Sequence, residues 1–245
     1  MDKLTPRAVL FDLGGTLIEY PSTMWDEISE QSIANAREYV LAQGFDLPDE
    51  PTFITLYREV RDGYRKTAAE TLIEWSVDQL ARRMLERSGL EPSPELVDGF
   101  FDAFYERVEP HIFVFEDTRE VLGRLRQRYE TIGLISNTIF PERVHRSELT
   151  KFRLADFFDF TVFSSTFGLR KPHADIFCHA ANLAGCAPAE CIYIGDRYIE
   201  DIEGPARVGM PAILRWHEGR DYPDDMPAAR RQIKSLSGLA EHLVI

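Results

Sequence analysis

The chain has 245 residues, of which 41 are acidic and 28 basic, so its formal net charge at pH 7 is −13. With 44% hydrophobic and 11% aromatic residues, it has enough apolar material to fold into one or two domains, which argues against a disordered chain. The acidic excess, without a basic run or a basic tail, also argues against binding to nucleic acid.

The first predicted element is a short buried strand. The apolar run Ala8 to Phe11 stops at Asp12 and is followed by Gly14 and Gly15, as expected for a strand that is covered on both faces and leads into a turn. From residue 20 to residue 110 the apolar residues recur at helical spacing instead, with turn-forming segments between them. This stretch predicts an all-helical block.

After residue 110, strands and helices are predicted to alternate. Asp117 is predicted to cap a helix, and the elements that follow are strands at 131–135, 160–163, 191–194 and 212–214 and helices near 173–184 and 199–208. Short strands separated by helices are typical of a parallel sheet. The sequence therefore predicts an α/β fold: a Rossmann-like parallel sheet with helices on both faces, built from residues 1–19 and 111–245. Residues 20–110 are predicted to form an inserted helical cap domain over the carboxyl edge of this sheet.

Polar side chains stand where the predicted strands end. Asp12, Ser136 and Asp196 each follow an apolar run directly, and Lys171 follows the 160–163 strand by a short loop. The carboxyl ends of parallel strands meet at one edge of a sheet, where ligands bind. A carboxylate that attacks an anionic phosphate ester needs a divalent cation to suppress the repulsion. These residues therefore predict phosphoryl transfer to an aspartate, with Mg²⁺ as the cofactor.

Four segments also resemble the signatures of a known superfamily. In chain order they are VLFDLGGTL, LISN, RKP and IYIGDRYIEDIEG, and they are similar to the four motifs of the haloacid dehalogenase-like hydrolases. The helical block between the first two motifs stands where phosphatases and dehalogenases of that superfamily carry a helical cap.

The resemblance implies a role for each matching residue. Asp12 is the nucleophile, and Ser136 with Lys171 binds the phosphate. The predicted phosphate-binding residues also include Asn137 and the backbone N–H groups of Gly14 and Gly15. The predicted magnesium ligands are Asp12, Asp196, Asp201 and the backbone carbonyl of Gly14.

One position departs from the phosphatase pattern. Phosphatases of this superfamily carry a second aspartate two residues after the nucleophile, and Gly14 occupies that position here. General acid–base help is typically worth about 10²–10⁴-fold in rate, so either turnover is slow or another group, such as Glu19 or a carboxylate of the cap, supplies the proton. Two alternatives stay open: a metal-independent 2-haloacid dehalogenase, and a ligand-binding or regulatory protein that has lost turnover.

The remaining expectations concern partners and location. No stretch approaches the roughly 20 apolar residues that span a bilayer, so no membrane association is predicted. The three cysteines lack a metal-binding or disulfide-like spacing, which favours the cytoplasm. The expected partner is a small phosphorylated metabolite, and the chain is expected to be a monomer or a homodimer.

Overall fold

The chain divides into two units, one formed by residues 1–19 and 113–245 and the other by residues 20–112. The structure is a computed structural model that describes residues 3–20, 24–218 and 220–244. The strands are β1 (Ala8–Phe11), β2 (Ile18–Glu19), β3 (Phe113–Val114), β4 (Thr131–Ser136), β5 (Phe160–Phe163), β6 (Cys191–Gly195), β7 (Ala212–Arg215) and β8 (Gln232–Ile233). The α-helices are α1 (Trp25–Ala42), α2 (Glu50–Thr71), α3 (Val77–Arg87), α4 (Pro94–Val108), α5 (Thr118–Arg128), α6 (Glu142–Lys151), α7 (Ser164–Phe167), α8 (Ala174–Leu183) and α9 (Gly204–Ala206).

A six-stranded parallel sheet is the centre of the larger unit. Its order is β5-β4-β1-β6-β7-β8, so β1 lies between β4 and β6, with Leu10 opposite Gly133 on one side and Tyr193 on the other. Every residue of β1 is fully buried, which means that both faces of the sheet are covered. On one face, Leu10 packs with Phe177 of α8. The predicted fold class is confirmed.

A short antiparallel ribbon accompanies this sheet. Ile18 of β2 pairs with Val114 of β3, and Glu19 pairs with Phe113. The sequence analysis did not predict these strands, because two residues are too few to establish an alternating pattern. The ribbon brings the chain that leaves β1 together with the chain that enters α5.

The structure corrects one local prediction and adds detail to another. Asp117 precedes α5, as predicted, but its side chain does not cap the helix. Its backbone is in the helical region, and its carboxylate accepts a hydrogen bond from the backbone N–H of Ser237 at 2.9 Å. A capping side chain normally needs an extended backbone at its own position. The helix predicted near 199–208 begins as a π-helical turn at Tyr198–Glu203 and continues into α9.

The smaller unit consists of the helices α1 to α4, in which α1 packs mainly against α4 and α3 contacts both α2 and α4. Local sequence explains where two of these helices begin. The side chain of Asp49 accepts a hydrogen bond from Thr52 N at the start of α2, and Ser93 accepts one from Leu96 N at the start of α4. In the core of this unit, the rings of Phe53 and Phe100 meet edge to face at 6.4 Å. None of the helices in the described ranges is long and apolar enough to cross a membrane.

Candidate active site

Asp12 stands at the carboxyl end of the central strand. Its backbone N–H continues the sheet by donating to Ile194 O at 2.9 Å, and the residue as a whole is 6% exposed. The turn that follows requires a glycine, because Gly15 has φ +79°, and this turn allows Gly15 N to donate to Ile18 O at 2.7 Å. Thr16 Oγ1 then reaches back to Asp12 Oδ2 at 3.2 Å. Chain geometry thus holds the carboxylate at the sheet edge.

Lys171 reaches the same edge and is almost fully buried. Its Nζ donates to Asp12 Oδ1 at 2.7 Å, to Asp201 Oδ1 at 2.6 Å and to the hydroxyl of Tyr193 at 2.7 Å. These three acceptors match the three protons of an ammonium group. The Tyr193 hydroxyl in turn donates a hydrogen bond to Ile135 O at 3.1 Å. The lysine therefore links two carboxylates with the buried face of the sheet.

The polar residues after β4 have different environments. Ser136 ends β4, next to β1, and is 5% exposed, so it lies at the same sheet edge as Asp12. Asn137, predicted to touch phosphate, makes two hydrogen bonds with the backbone of Lys171: its Nδ2 donates to the carbonyl at 2.9 Å, and its Oδ1 accepts from the N–H at 2.8 Å. The Asn137 side chain therefore positions the lysine loop.

Two further carboxylates follow β6. Asp196 and Asp201 are fully buried, and together with Asp12 they offer carboxylate oxygens that all lie within 4.8 Å of one another. Asp201 is held by Arg197 N, which donates to its Oδ2 at 2.9 Å. Neighbouring glycines leave room for this cluster, because a Cβ on Gly15 would stand 2.4 Å from Asp196 Oδ2. The four predicted acidic and basic residues of the site are thus brought together.

Burial shifts the protonation of these groups. Desolvation raises the pKa of Asp12 above its ordinary value, against the effect of the adjacent Lys171 ammonium, and the charge of Asp201 adds to the rise. Desolvation and the charges of Asp12 and Asp201 raise the pKa of Asp196 to about 7. Burial alone would lower the pKa of Lys171, but its two carboxylate partners raise it overall. Three carboxylates thus crowd around one buried ammonium, and the Arg220 guanidinium is a further cation beside Asp196.

The surroundings of the Asp196 carboxylate show whether a divalent cation would fit this site. Neither of its side-chain oxygens has a hydrogen-bond partner among the described residues, although both are buried. Arg220 Nε lies against Oδ2, but its orientation does not make a hydrogen bond. Carboxylate oxygens are the ligands that Mg²⁺ prefers, and a buried carboxylate whose oxygens accept no hydrogen bond is costly even beside a cation. The chemistry of this donor set fits a hard dication.

Three further residues near the site were not among the predicted site residues. Tyr193 carried a usable signal, because a tyrosine inside a buried strand must find a hydrogen-bond partner for its hydroxyl. Arg215 donates to the carbonyl of Gly15, and Tyr222 donates to Asp196 O at 2.8 Å. Arg215 is the last residue of β7, whereas the Tyr222 contact depends on how the segment after β7 folds back, which no local pattern predicts.

Comparison with known proteins gives related hydrolases. A family model described as haloacid dehalogenase-like hydrolase matches residues 6–209. A glyceraldehyde 3-phosphate phosphatase of Methanopyrus kandleri is 29% identical over 223 residues, which cover 90% of this chain and 88% of that protein. A ribulose-1,5-bisphosphate 5-phosphatase of Halopiger xanaduensis is 25% identical over 207 residues, 84% of this chain and 83% of that protein.

Among solved structures, a 2-haloacid dehalogenase from Pseudomonas syringae pv. Tomato DC3000 superposes with a TM-score of 0.71 at 24% identity, covering 97% of each chain. At that identity the likeness concerns the fold alone. This chain therefore resembles phosphatases in sequence and shares the fold of a protein named as a 2-haloacid dehalogenase.

Proposed function

This chain belongs to the haloacid dehalogenase-like hydrolases, and from that premise we propose that it is a magnesium-dependent phosphatase acting on a small phosphorylated metabolite. The reaction passes through an aspartyl-phosphate on Asp12. Two relatives of this chain, named as phosphatases of glyceraldehyde 3-phosphate and of ribulose 1,5-bisphosphate, support the phosphatase class. The three cysteines are free thiols, which supports a cytoplasmic location.

The observation that carries the proposal is the buried Asp196 carboxylate without a hydrogen-bond partner among the described residues. The Arg220 guanidinium offsets part of the charge of Asp196 but leaves both carboxylate oxygens without a hydrogen bond, and a metal-independent reaction at Asp12 would gain nothing from this desolvated group. A phosphatase needs it, because a dication beside the nucleophile neutralises charge as the phosphoryl group is transferred. Asp12, Asp196, Asp201 and the Gly14 carbonyl would hold the magnesium ion, which supplies that neutralisation when bound.

The residues of this chain divide the remaining work. A carboxylate oxygen of Asp12 attacks the phosphorus, and the bond from phosphorus to the leaving oxygen breaks. Lys171, 2.7 Å from that carboxylate, and Ser136 stabilise the transferred phosphoryl group. Water then attacks the phosphorus, and the bond to Asp12 breaks, which releases phosphate and restores the carboxylate. Splitting the hydrolysis in this way replaces one difficult displacement with two easier ones.

The test compares phosphate release and halide release by the same preparation. Wild type, Asp12→Asn and Asp175→Asn are assayed with an aryl phosphate and with a 2-haloacid, in Mg²⁺ and in chelator. Asp175 is a matched control, since its side chain is 68% exposed. Magnesium-dependent phosphate release that Asp12→Asn abolishes and Asp175→Asn retains supports the proposal. Halide release that is indifferent to chelator contradicts it in favour of a dehalogenase, and no turnover of either substrate contradicts it in favour of a binding protein.

A further inference from the structure

Gly14 has no side chain that could donate a proton, so the proposed reaction lacks the usual proton donor at that position. We infer that Glu19 and His217 form a proton-carrying pair that takes over the work of the missing carboxylate. This inference rests on the proposed phosphatase function. It assigns a role in proton transfer to two residues outside the predicted nucleophile, phosphate-binding and metal sets.

Counting hydrogen-bond donors and acceptors places a proton between the two side chains. His217 Nδ1 lies 2.9 Å from the backbone carbonyl of Glu218, which only accepts, so Nδ1 is assigned the donor role. His217 Nε2 lies 2.6 Å from Glu19 Oε2. Two acceptors at that distance would repel each other, so one proton is shared between them. The pair is either an imidazolium with a carboxylate or a neutral imidazole with a carboxylic acid.

Hydrogen bonds tie this pair to both loops of the candidate site. Glu19 directly follows Ile18, whose carbonyl accepts from Gly15 N at 2.7 Å. On the other side, His217 N donates to the hydroxyl of Tyr222 at 3.1 Å, and that hydroxyl donates to Asp196 O at 2.8 Å. The Glu19 side chain is 12% exposed and that of His217 is 23% exposed, so the pair is shielded but reachable.

The groups that face the pair are poor proton donors themselves. Arg215 lies 3.7 Å above the ring of Phe115, which in turn contacts the His217 ring at 6.3 Å. An arginine stays protonated in proteins and does not act as an acid. Burial raises the pKa of Tyr222 above its ordinary value, so its hydroxyl also keeps its proton. Histidine is the side chain that exchanges protons most readily near neutral pH, and a carboxylate partner strengthens this role.

The pair can serve both halves of the reaction with a balanced proton count. As the bond from phosphorus to the leaving oxygen breaks, that oxygen takes the shared proton and departs as an alcohol. Glu19 remains as a carboxylate beside a neutral His217. In the second half, the pair takes a proton from the attacking water while its oxygen bonds to phosphorus, and the original state returns. No other reactant is needed.

A series of leaving groups tests this role. Wild type, Glu19→Gln, His217→Gln and the control Glu116→Gln are assayed in Mg²⁺ with nitrophenyl phosphate, phenyl phosphate and an alkyl phosphate. Glu116 is an exposed carboxylate that follows Phe115, so its substitution removes a nearby charge without touching the pair. General acid–base catalysis matters most for poor leaving groups and is typically worth about 10²–10⁴-fold. Circular dichroism and melting temperatures establish that each variant is folded.

The expected result is selective. In the first turnover, followed by rapid mixing, Glu19→Gln and His217→Gln should release nitrophenol at nearly the wild-type rate and should release the alcohol of the alkyl phosphate about 10²-fold or more slowly, whereas Glu116→Gln follows wild type throughout. Later turnovers also need the pair as the base for water, so both variants should be slower on every substrate in the steady state. An equal loss on all three substrates in the first turnover, or full alkyl phosphatase activity in either variant, overturns the inference. Failure of wild type to hydrolyse every phosphate ester contradicts the proposed function instead.

Discussion

Replacing Asp196 with asparagine tests the electrostatics of the carboxylate cluster. The ordinary pKa of this side chain is 3.8, and burial together with Asp12 and Asp201 raises it to about 7. Each pKa unit corresponds to about 1.4 kcal/mol, so keeping Asp196 ionised in the fold costs about 4 kcal/mol. Asparagine has nearly the same shape without the charge. In the absence of a divalent cation, the Asp196→Asn protein should therefore be more stable than wild type.

The sign of the pH dependence follows from the direction of this shift. The folded state holds the Asp196 proton more tightly than the unfolded state, because its pKa is raised on folding. The contribution of this bound proton to the free energy of unfolding is fully present below about pH 4 and is lost as the pH rises to about 7. The advantage of the asparagine variant should therefore be small at pH 4, increase through this window and level off above it.

Thermal unfolding in chelator at several pH values measures the difference. For a chain of this size, 1 kcal/mol shifts the melting temperature by about 2–4 °C, so the upper limit at pH 8 is about 8–16 °C in favour of Asp196→Asn. Saturating Mg²⁺ should reduce or reverse the gap, since a ligand at 100 times its Kd stabilises by about 2.7 kcal/mol. The exposed Asp175→Asn variant serves as the control. A variant that is less stable than wild type at pH 8 in chelator, or a gap that does not change with pH, would refute the reasoning.

Two further substitutions address neighbouring parts of the site. Lys171→Met should lower the free energy of unfolding, measured by denaturant titration, by about 3–5 kcal/mol, because it leaves buried carboxylates without their ammonium partner. The same substitution should abolish phosphate release. Gly15→Ala should lower both stability and magnesium affinity, because the new Cβ would stand 2.4 Å from Asp196 Oδ2. Gly209 has a similar φ of +78°, but a Cβ there would have no atom within 4 Å, so Gly209→Ala should lower stability alone. Calorimetric titration with Mg²⁺ separates the two glycine variants, and equal magnesium affinities would contradict the steric argument.

The sheet could be predicted because its strands are buried on both faces. The apolar runs that end at Asp12, Ser136 and Asp196 become β1, β4 and β6, three adjacent strands of the sheet. Continuous apolar runs of this kind are a strong signal, and parallel topology then brings their carboxyl ends to one edge. Lys171 lies in a loop, and its place beside Asp12 followed from the motif order alone.

What the sequence did not predict depends on contacts distant in the chain. The ribbon of β2 and β3 pairs Glu19 with Phe113 across more than ninety residues, and each strand has only two residues. The segment after β7 carries His217, Arg220 and Tyr222 to the site without any regular element. Asn137 shows a further limit: its residue type suits phosphate binding, but its amide is engaged by the backbone of Lys171. Residue type predicts the chemistry of a site more readily than it predicts the partner of each atom.

The glycine at position 14 gains a physical rationale from the charges around it. Three buried carboxylates already share the site with Lys171 and the Arg220 guanidinium, and a fourth carboxylate at position 14 would add to the repulsion that raises the pKa of Asp196. Using Glu19 as the proton carrier places this carboxylate within the field of the positively charged Arg215. The proposed nucleophile and metal ligands follow strands of the six-stranded sheet, whereas the proposed proton transfer depends on a ribbon of two residue pairs. Substrates with poor leaving groups should therefore be the ones whose first displacement depends on that ribbon.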